Sequence, residues 1–145
     1  MSRQLLRFEQ FFAAPRETVF AFFSDHQSFG EIWPGRFERI QVAPAGDDPN
    51  GLGSVRRVRS AGMVIEETIT AFEPPARIEY RVTRGGPLKN HRGELRFTEV
   101  PGGTQLDYQI EFEPRWPLTG GLIASTLCAA WHHGVSRAVE AIARR

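Results

Sequence analysis

The chain has 145 residues, 41% of them hydrophobic, and its 18 basic and 17 acidic side chains leave a formal charge of +1. That length fits one domain, residues 1–145, and a domain near this size buries roughly 68 to 70% of the surface its unfolded chain would expose, so no staple is needed. Near-neutral charge argues against a dedicated nucleic-acid or anionic-membrane surface, because such partners demand clustered positive charge.

The single cysteine, Cys128, excludes an internal disulfide, and its neighbours Leu127 and Ala129 make it read as a buried, inert thiol. The amino terminus carries Arg3, Arg7 and Glu9 where a signal peptide would need an apolar core. Leu122 to Trp131 is the longest largely apolar run, far short of the roughly 20 residues that cross a bilayer. A soluble cytoplasmic protein with no membrane insertion is the expectation.

Arg3 to Ala13 reads as a strand. Pro15 then opens a short helix through Ser24, with Glu17 in its first turn and Val19, Phe22 and Phe23 on its buried side. Asp25 to Trp33 reads as a second short helix that Pro34 ends, since the residue before a proline is pushed out of the α region. Pro44 to Gly53 is rich in Gly, Pro, Asp and Asn and reads as a surface loop.

From Phe37 to Pro114, strand-like runs alternate with turn signals at Gly62, Pro74-Pro75, Gly85-Gly86-Pro87 and Pro101-Gly102-Gly103, which predicts six strands in an antiparallel meander. Pairing around Glu73 to Ala76 sets Ala71 against Ile78, Ile69 against Tyr80 and Glu67 against Val82, so an apolar face ends in one carboxylate. The hairpin at Val100 to Gly103 sets Phe97 against Leu106, Leu95 against Tyr108, Gly93 against Ile110 and His91 against Phe112. Gly93, among inward apolar positions, reads as a bend. Leu118 to Arg145 lacks proline and spaces Leu127, Trp131, Val135, Ala138 and Ile142 at threes and fours, an amphipathic helix. Gly134 weakens it by roughly 1 kcal/mol. The sum is an α+β layer structure in which the sheet wraps the long helix.

This order resembles the helix-grip fold of the SRPBCC superfamily, the START and Bet v 1 group, and within it the bacterial polyketide cyclase/dehydrase-like branch. The resemblance is carried by Ala14-Pro15 with Val19 and Phe20, by Asp25 and Trp33, by GLGSVRRV from Gly51, by EETITAFEPPARIEYRV from Glu66, and by GGTQLDYQIEF from Gly102. It implies a seven-stranded curved antiparallel sheet around a long C-terminal helix, two short helices after the first strand, and a cavity between sheet and helix.

Pairing Ser54–Arg59 with Val64–Ala71 through Ala61-Gly62 puts Val58 opposite Ile65 and Arg56 opposite Glu67, apolar against apolar and opposite charge against opposite charge. The resembled family repeats an arginine three places after GxG and a glutamate in the next strand, positions held here by Arg56 and Glu67. The pair either neutralises itself at the cavity mouth or a sheet edge, or lends one partner to a polar group of a ligand. His91 lies on the inner face, where an imidazole of ordinary pKa near ~6.5 suits proton transfer; Glu67 and His91 are thus the catalytic candidates. The candidate ligand contacts are Trp33, Arg56, Glu67, Tyr80, His91, Phe112, Leu122 and Thr126, with Trp33 and the loop Gly85 to Asn90 guarding the mouth by analogy with the fold.

No metal site is visible, since adjacent His132 and His133 diverge by about 100° on a helix. Gly51-Leu52-Gly53 leads into a strand and is a turn, not a dinucleotide fingerprint. No serine sits in a GxSxG elbow. The expected function is binding of a small hydrophobic or aromatic molecule, with no cofactor and no nucleic acid. One alternative is a cofactor-independent, lyase-type cyclase or dehydratase acting on a polyketide or aromatic substrate; the other is a protein-interaction role.

Overall fold

The computed structural model describes residues 3–46 and 48–145. Strand β1 (Gln4–Phe12) is followed by helices α1 (Arg16–Ser24) and α2 (His26–Gly30). Strands β2 (Arg36–Gln41), β3 (Val55–Ser60), β4 (Met63–Glu73), β5 (Arg77–Gly85), β6 (Leu88–Val100) and β7 (Gly103–Pro114) come next, and helix α3 (Gly120–Ala143) ends the chain. The strands form one antiparallel sheet ordered β1-β7-β6-β5-β4-β3-β2. The meander therefore follows chain order and β1 closes onto β7, giving the helix-grip arrangement that the pattern implied.

Alternation writes the inner face. Leu95, Phe97, Leu106, Tyr108, Ile110 and Phe112 are buried on β6 and β7, and α3 lays Trp131, Ala138 and Ile142 against the core. Trp131 stacks on Phe8 of β1 with ring centroids 5.0 Å apart. Gly134 has a packing role beyond its weak helix propensity: a Cβ there would lie 1.9 Å from the carbonyl oxygen of Ile32, so only glycine lets α3 press on the α2–β2 link. The outer face carries an ionic lattice instead. Glu79 and Glu94 stand opposite each other on β5 and β6, a repulsive pairing. Arg77 and Arg92 each bond both carboxylates, at 3.2 and 2.6 Å and at 2.7 and 3.0 Å.

Several expectations need correction. Helix α2 starts at its cap Asp25, whose side chain accepts from the Gln27 N–H, but it stops at Gly30, four residues before Pro34, because the chain must turn there to bury Ile32. Ala71 does not face Ile78. The turn closes on Glu73 and Arg77, an extra residue bulges between Ile69 and Ala71, and Phe72 takes the place opposite Ile78. The larger ring packs, half-buried, against the core, 5.4 Å from Phe20. The β6–β7 ladder is also interrupted between Lys89 and Arg92, so His91 has no register partner at Phe112. Cys128 is half-buried rather than buried. Gly93 has a packing role besides: a Cβ there would stand 2.3 Å from the Tyr80 ring, so the glycine clears the space in which that ring lies.

Candidate functional site

Antiparallel order brings the β3–β4 turn, the β5–β6 turn, the start of β2 and the end of β7 to one end of the sheet. A cavity of about 340 Å³ opens there. Phe29, Trp33, Pro34 and Phe37 line one side, and Val58, Ile65, Val82 and Ile110 supply the sheet wall. Ile123, Leu127 and Ala130 of α3 cover it, and Leu122, Met63 and Pro87 rim the opening. Glu67 and His91 bring charge or polarity into this largely apolar space, the usual composition of a small-molecule site.

Six of the eight residues expected to contact a ligand line the cavity together: Trp33, Glu67, Tyr80, His91, Leu122 and Thr126. Two do not. Phe112 is wholly buried in the core, and Arg56 lies behind the wall. Leu122 sits at the mouth, and the Thr126 hydroxyl donates to the carbonyl of Leu122 at 2.9 Å, which occupies its donor.

Arg56 and Glu67 face each other across β3 and β4, and Nε of Arg56 donates to Oε1 of Glu67 at 2.7 Å. The pair sits neither at a sheet edge nor at the mouth, for Arg56 is 2% and Glu67 14% exposed. The guanidinium carbon lies 4.4 Å from the Phe29 centroid and 4.6 Å from that of Tyr80. Two π faces thus receive a cation whose Nη2 has no hydrogen-bond partner among the described residues. Arg56 positions Glu67, and Oε2 of Glu67 accepts no bond from a described residue. That oxygen is open to a ligand.

The Val82 N–H donates to Nδ1 of His91 at 3.0 Å. A nitrogen that accepts carries no proton, so the neutral ring holds its proton on Nε2. Burial pushes the imidazole down to about 4 against the pull of the Glu67 charge, with Arg56 adding to the lowering. His91 is therefore a neutral donor toward the cavity. Tyr80 contributes its ring; its hydroxyl bonds that of Tyr108, and burial raises both phenols above their ordinary range. His26, buried with Nε2 3.5 Å from the Ser54 hydroxyl, is likewise held neutral, lowered to about 3 by burial and then by Arg56.

Most of the residues that sequence reasoning missed are apolar, among them Phe29, Phe37, Ile123, Leu127 and Ala130, with Ser60 a polar exception. Apolar periodicity marks such positions as inward but does not separate cavity from core. Phe29 had a usable signal, since a buried arginine in an apolar sheet wall calls for an aromatic partner. Among the described residues no group of His, Cys, Asp and Glu is arranged to hold a metal ion, and no helix is long and apolar enough to cross a membrane.

A curved sheet gripping a long helix over an apolar cavity defines the helix-grip class of proteins. The chain belongs to the polyketide cyclase / dehydrase and lipid transport family of the SRPBCC superfamily, whose pattern it matches over residues 5–145. Among solved structures it is similar to a START superfamily protein from Mycobacterium smegmatis, at 16% identity and TM-score 0.73 over 94% of each chain. It is also similar to Ara h 8.0201, at 14% identity and TM-score 0.70 over 99% of this chain and 100% of that one. Norcoclaurine synthase from Thalictrum flavum, solved with dopamine and hydroxybenzaldehyde, aligns at 13% identity and TM-score 0.68 over 95% of this chain and 87% of its own. At these identities the likeness concerns the fold. No curated protein matches the chain.

Proposed function

We propose that the protein binds a small, mostly apolar ring compound bearing one hydroxyl or comparable polar group in the cavity between sheet and α3. The observation that carries this reading is the pairing of opposite hydrogen-bond roles on one greasy wall. Glu67 offers an acceptor oxygen and His91 an Nε2–H donor, while the rest of the lining is mainly apolar, with the Ser60 hydroxyl at the β3–β4 turn and the Thr126 hydroxyl already donating to Leu122. A hydroxyl can donate to the first and accept from the second. A purely aliphatic ligand would leave a buried carboxylate oxygen unanswered, which is costly.

The cyclase or dehydratase reading finds less support in this geometry. A general base needs a free lone pair facing the substrate. The His91 lone pair is held by the Val82 N–H, and Glu67 is tied to Arg56. Glu67 remains the one group that could take a proton from a bound substrate. A ligand-orienting role uses both groups as they stand.

Calorimetric titration with 2-naphthol and with 2-methylnaphthalene tests the proposal, because the two differ only in the polar handle. The expected result is binding of both, with 2-naphthol tighter by about tenfold, the worth of one or two net hydrogen bonds. Equal affinities would remove the role of Glu67 and His91. Binding of neither would remove the ligand reading.

A further inference from the structure

Four links meet at the end of the sheet where the cavity opens: WPGR at 33–36, RSAGMV at 59–64, RGGPLK at 84–89 and RWPLTGGL at 115–122. The α2–β2 link also holds the exposed Glu31, whereas the other three contain no acidic residue; together the four carry Arg36, Arg59, Arg84, Lys89 and Arg115, all exposed. None of the five appears in an ion pair among the described residues. The nearby carboxylates are turned elsewhere. Glu66, across from Arg84, and Glu38 reach toward Arg57; Glu113, across from Lys89, takes Arg3 and Asn90. Glu31 and Glu38 share a depression with Arg36, but neither forms an ion pair with it among the described residues. Arg36 and Arg59 even stand directly opposite each other, an unfavourable pairing unless an anion joins them.

The same end exposes apolar side chains: Met63, Val64, Trp116, Leu118 and Leu122. Leu118 is fully exposed with φ 64, a left-handed conformation that a branched side chain adopts only at a cost. The near-zero net charge thus conceals a polarised molecule. Glu79, Glu94 and Glu111 are taken up in the lattice on the outer face, and the mouth carries an excess of cations beside its apolar tips.

We infer that this end docks on an anionic lipid surface, with the cations among the headgroups and the apolar tips at the acyl boundary. A second copy is a poorer occupant, because a two-fold contact through this face would set like charges against each other. Docking goes beyond the ligand reading and would present the cavity mouth to the bilayer, so that an apolar molecule could enter without crossing water.

Cosedimentation with vesicles tests it, comparing phosphatidylcholine alone with phosphatidylcholine containing a minority of phosphatidylglycerol. The expected result is at least about tenfold tighter binding to the anionic vesicles, weakening as salt is raised. Arg84→Glu with Lys89→Glu should lose that preference, and Leu118→Ser should bind several-fold more weakly. Arg144→Glu with Arg145→Glu, an equal charge change at the far end of α3, should bind like the parent. Titration of each variant with 2-naphthol, without vesicles, checks folding and keeps the cavity reading separate. No vesicle binding, equal binding to both vesicles, equal loss in the Arg144/Arg145 control, or a dimer abolished by Leu118→Ser would each overturn the inference.

Discussion

The backbone N–H of Val82 donates to Nδ1 of His91 across 3.0 Å, and this bond decides what the cavity can offer a ligand. It fixes the proton on Nε2 and turns a residue type associated with proton transfer into a fixed donor. Nitrogen NMR of the His91 ring should show an unprotonated Nδ1 and a protonated Nε2 from pH 8 to pH 5, since the folded ring titrates near 4. An imidazolium signal from His91 at pH 6 would contradict it.

Two buried, neutral histidines make stability sensitive to mild acid. His91 and His26 titrate near 4 and 3 in the folded chain, against 6.5 ordinarily. Below pH 6.5 the unfolded chain therefore takes up protons that the folded chain refuses, and stability falls as pH falls. The His91 contribution is complete above pH 6.5 and gone below about 4. Urea unfolding at pH 7.5 and pH 5 should differ by about 4 kcal/mol, at roughly 1.4 kcal/mol per proton and pH unit. His26→Gln with His91→Gln should flatten the profile. Glu79 extends the loss at lower pH: burial alone would raise it, but bonds from Thr70 and Arg92 hold it at about 2. A parent protein equally stable at pH 7.5 and 5 would refute this pairing of burial and neutrality.

Gly93→Ala should destabilise by about 1 to 3 kcal/mol through overpacking, because the new methyl meets the Tyr80 ring. Adding Tyr80→Leu should cost less in the Gly93→Ala background than in the parent. Denaturant midpoints of the four proteins measure the coupling, and strict additivity would show that the contact is not the cause.

Breaking the Arg56–Glu67 pair from one side strands a charge. Glu67→Leu should cost about 3 to 5 kcal/mol, and adding Arg56→Met should recover part of that loss. Chemical denaturation is again the readout; a double variant less stable than Glu67→Leu would mean that the arginine's stacking on Phe29 and Tyr80 outweighs its unpaired charge.

Strand order, helix order and the Arg56–Glu67 register could be read from the sequence because alternation and charge pairing point to the same answer. What escaped it has common causes. The bulge at Ile69/Ala71 leaves no local mark, since Ala71 and Phe72 are both apolar and only the packed core prefers the larger ring. The packing reason for Gly93 was not legible, as its neighbour in space, Tyr80, is 13 positions away. For His91 the inward face was legible, but its tautomer depends on a backbone N–H two residues beyond Tyr80 that no side-chain pattern encodes. The cationic mouth was hidden by summation, since five charges from four separated links cancel in the total against carboxylates elsewhere.

Chemical-shift mapping of the isotope-labelled protein during a 2-naphthol titration tests the cavity most directly. The expected result is saturable shifts at the amides of Val82, Ile110, Leu127 and Ala130 and at Nε2 of His91, with the outer-face residues Arg77 and Arg92 unmoved. Shifts confined to the outer face, or none at saturating 2-naphthol, would contradict ligand binding between the sheet and α3.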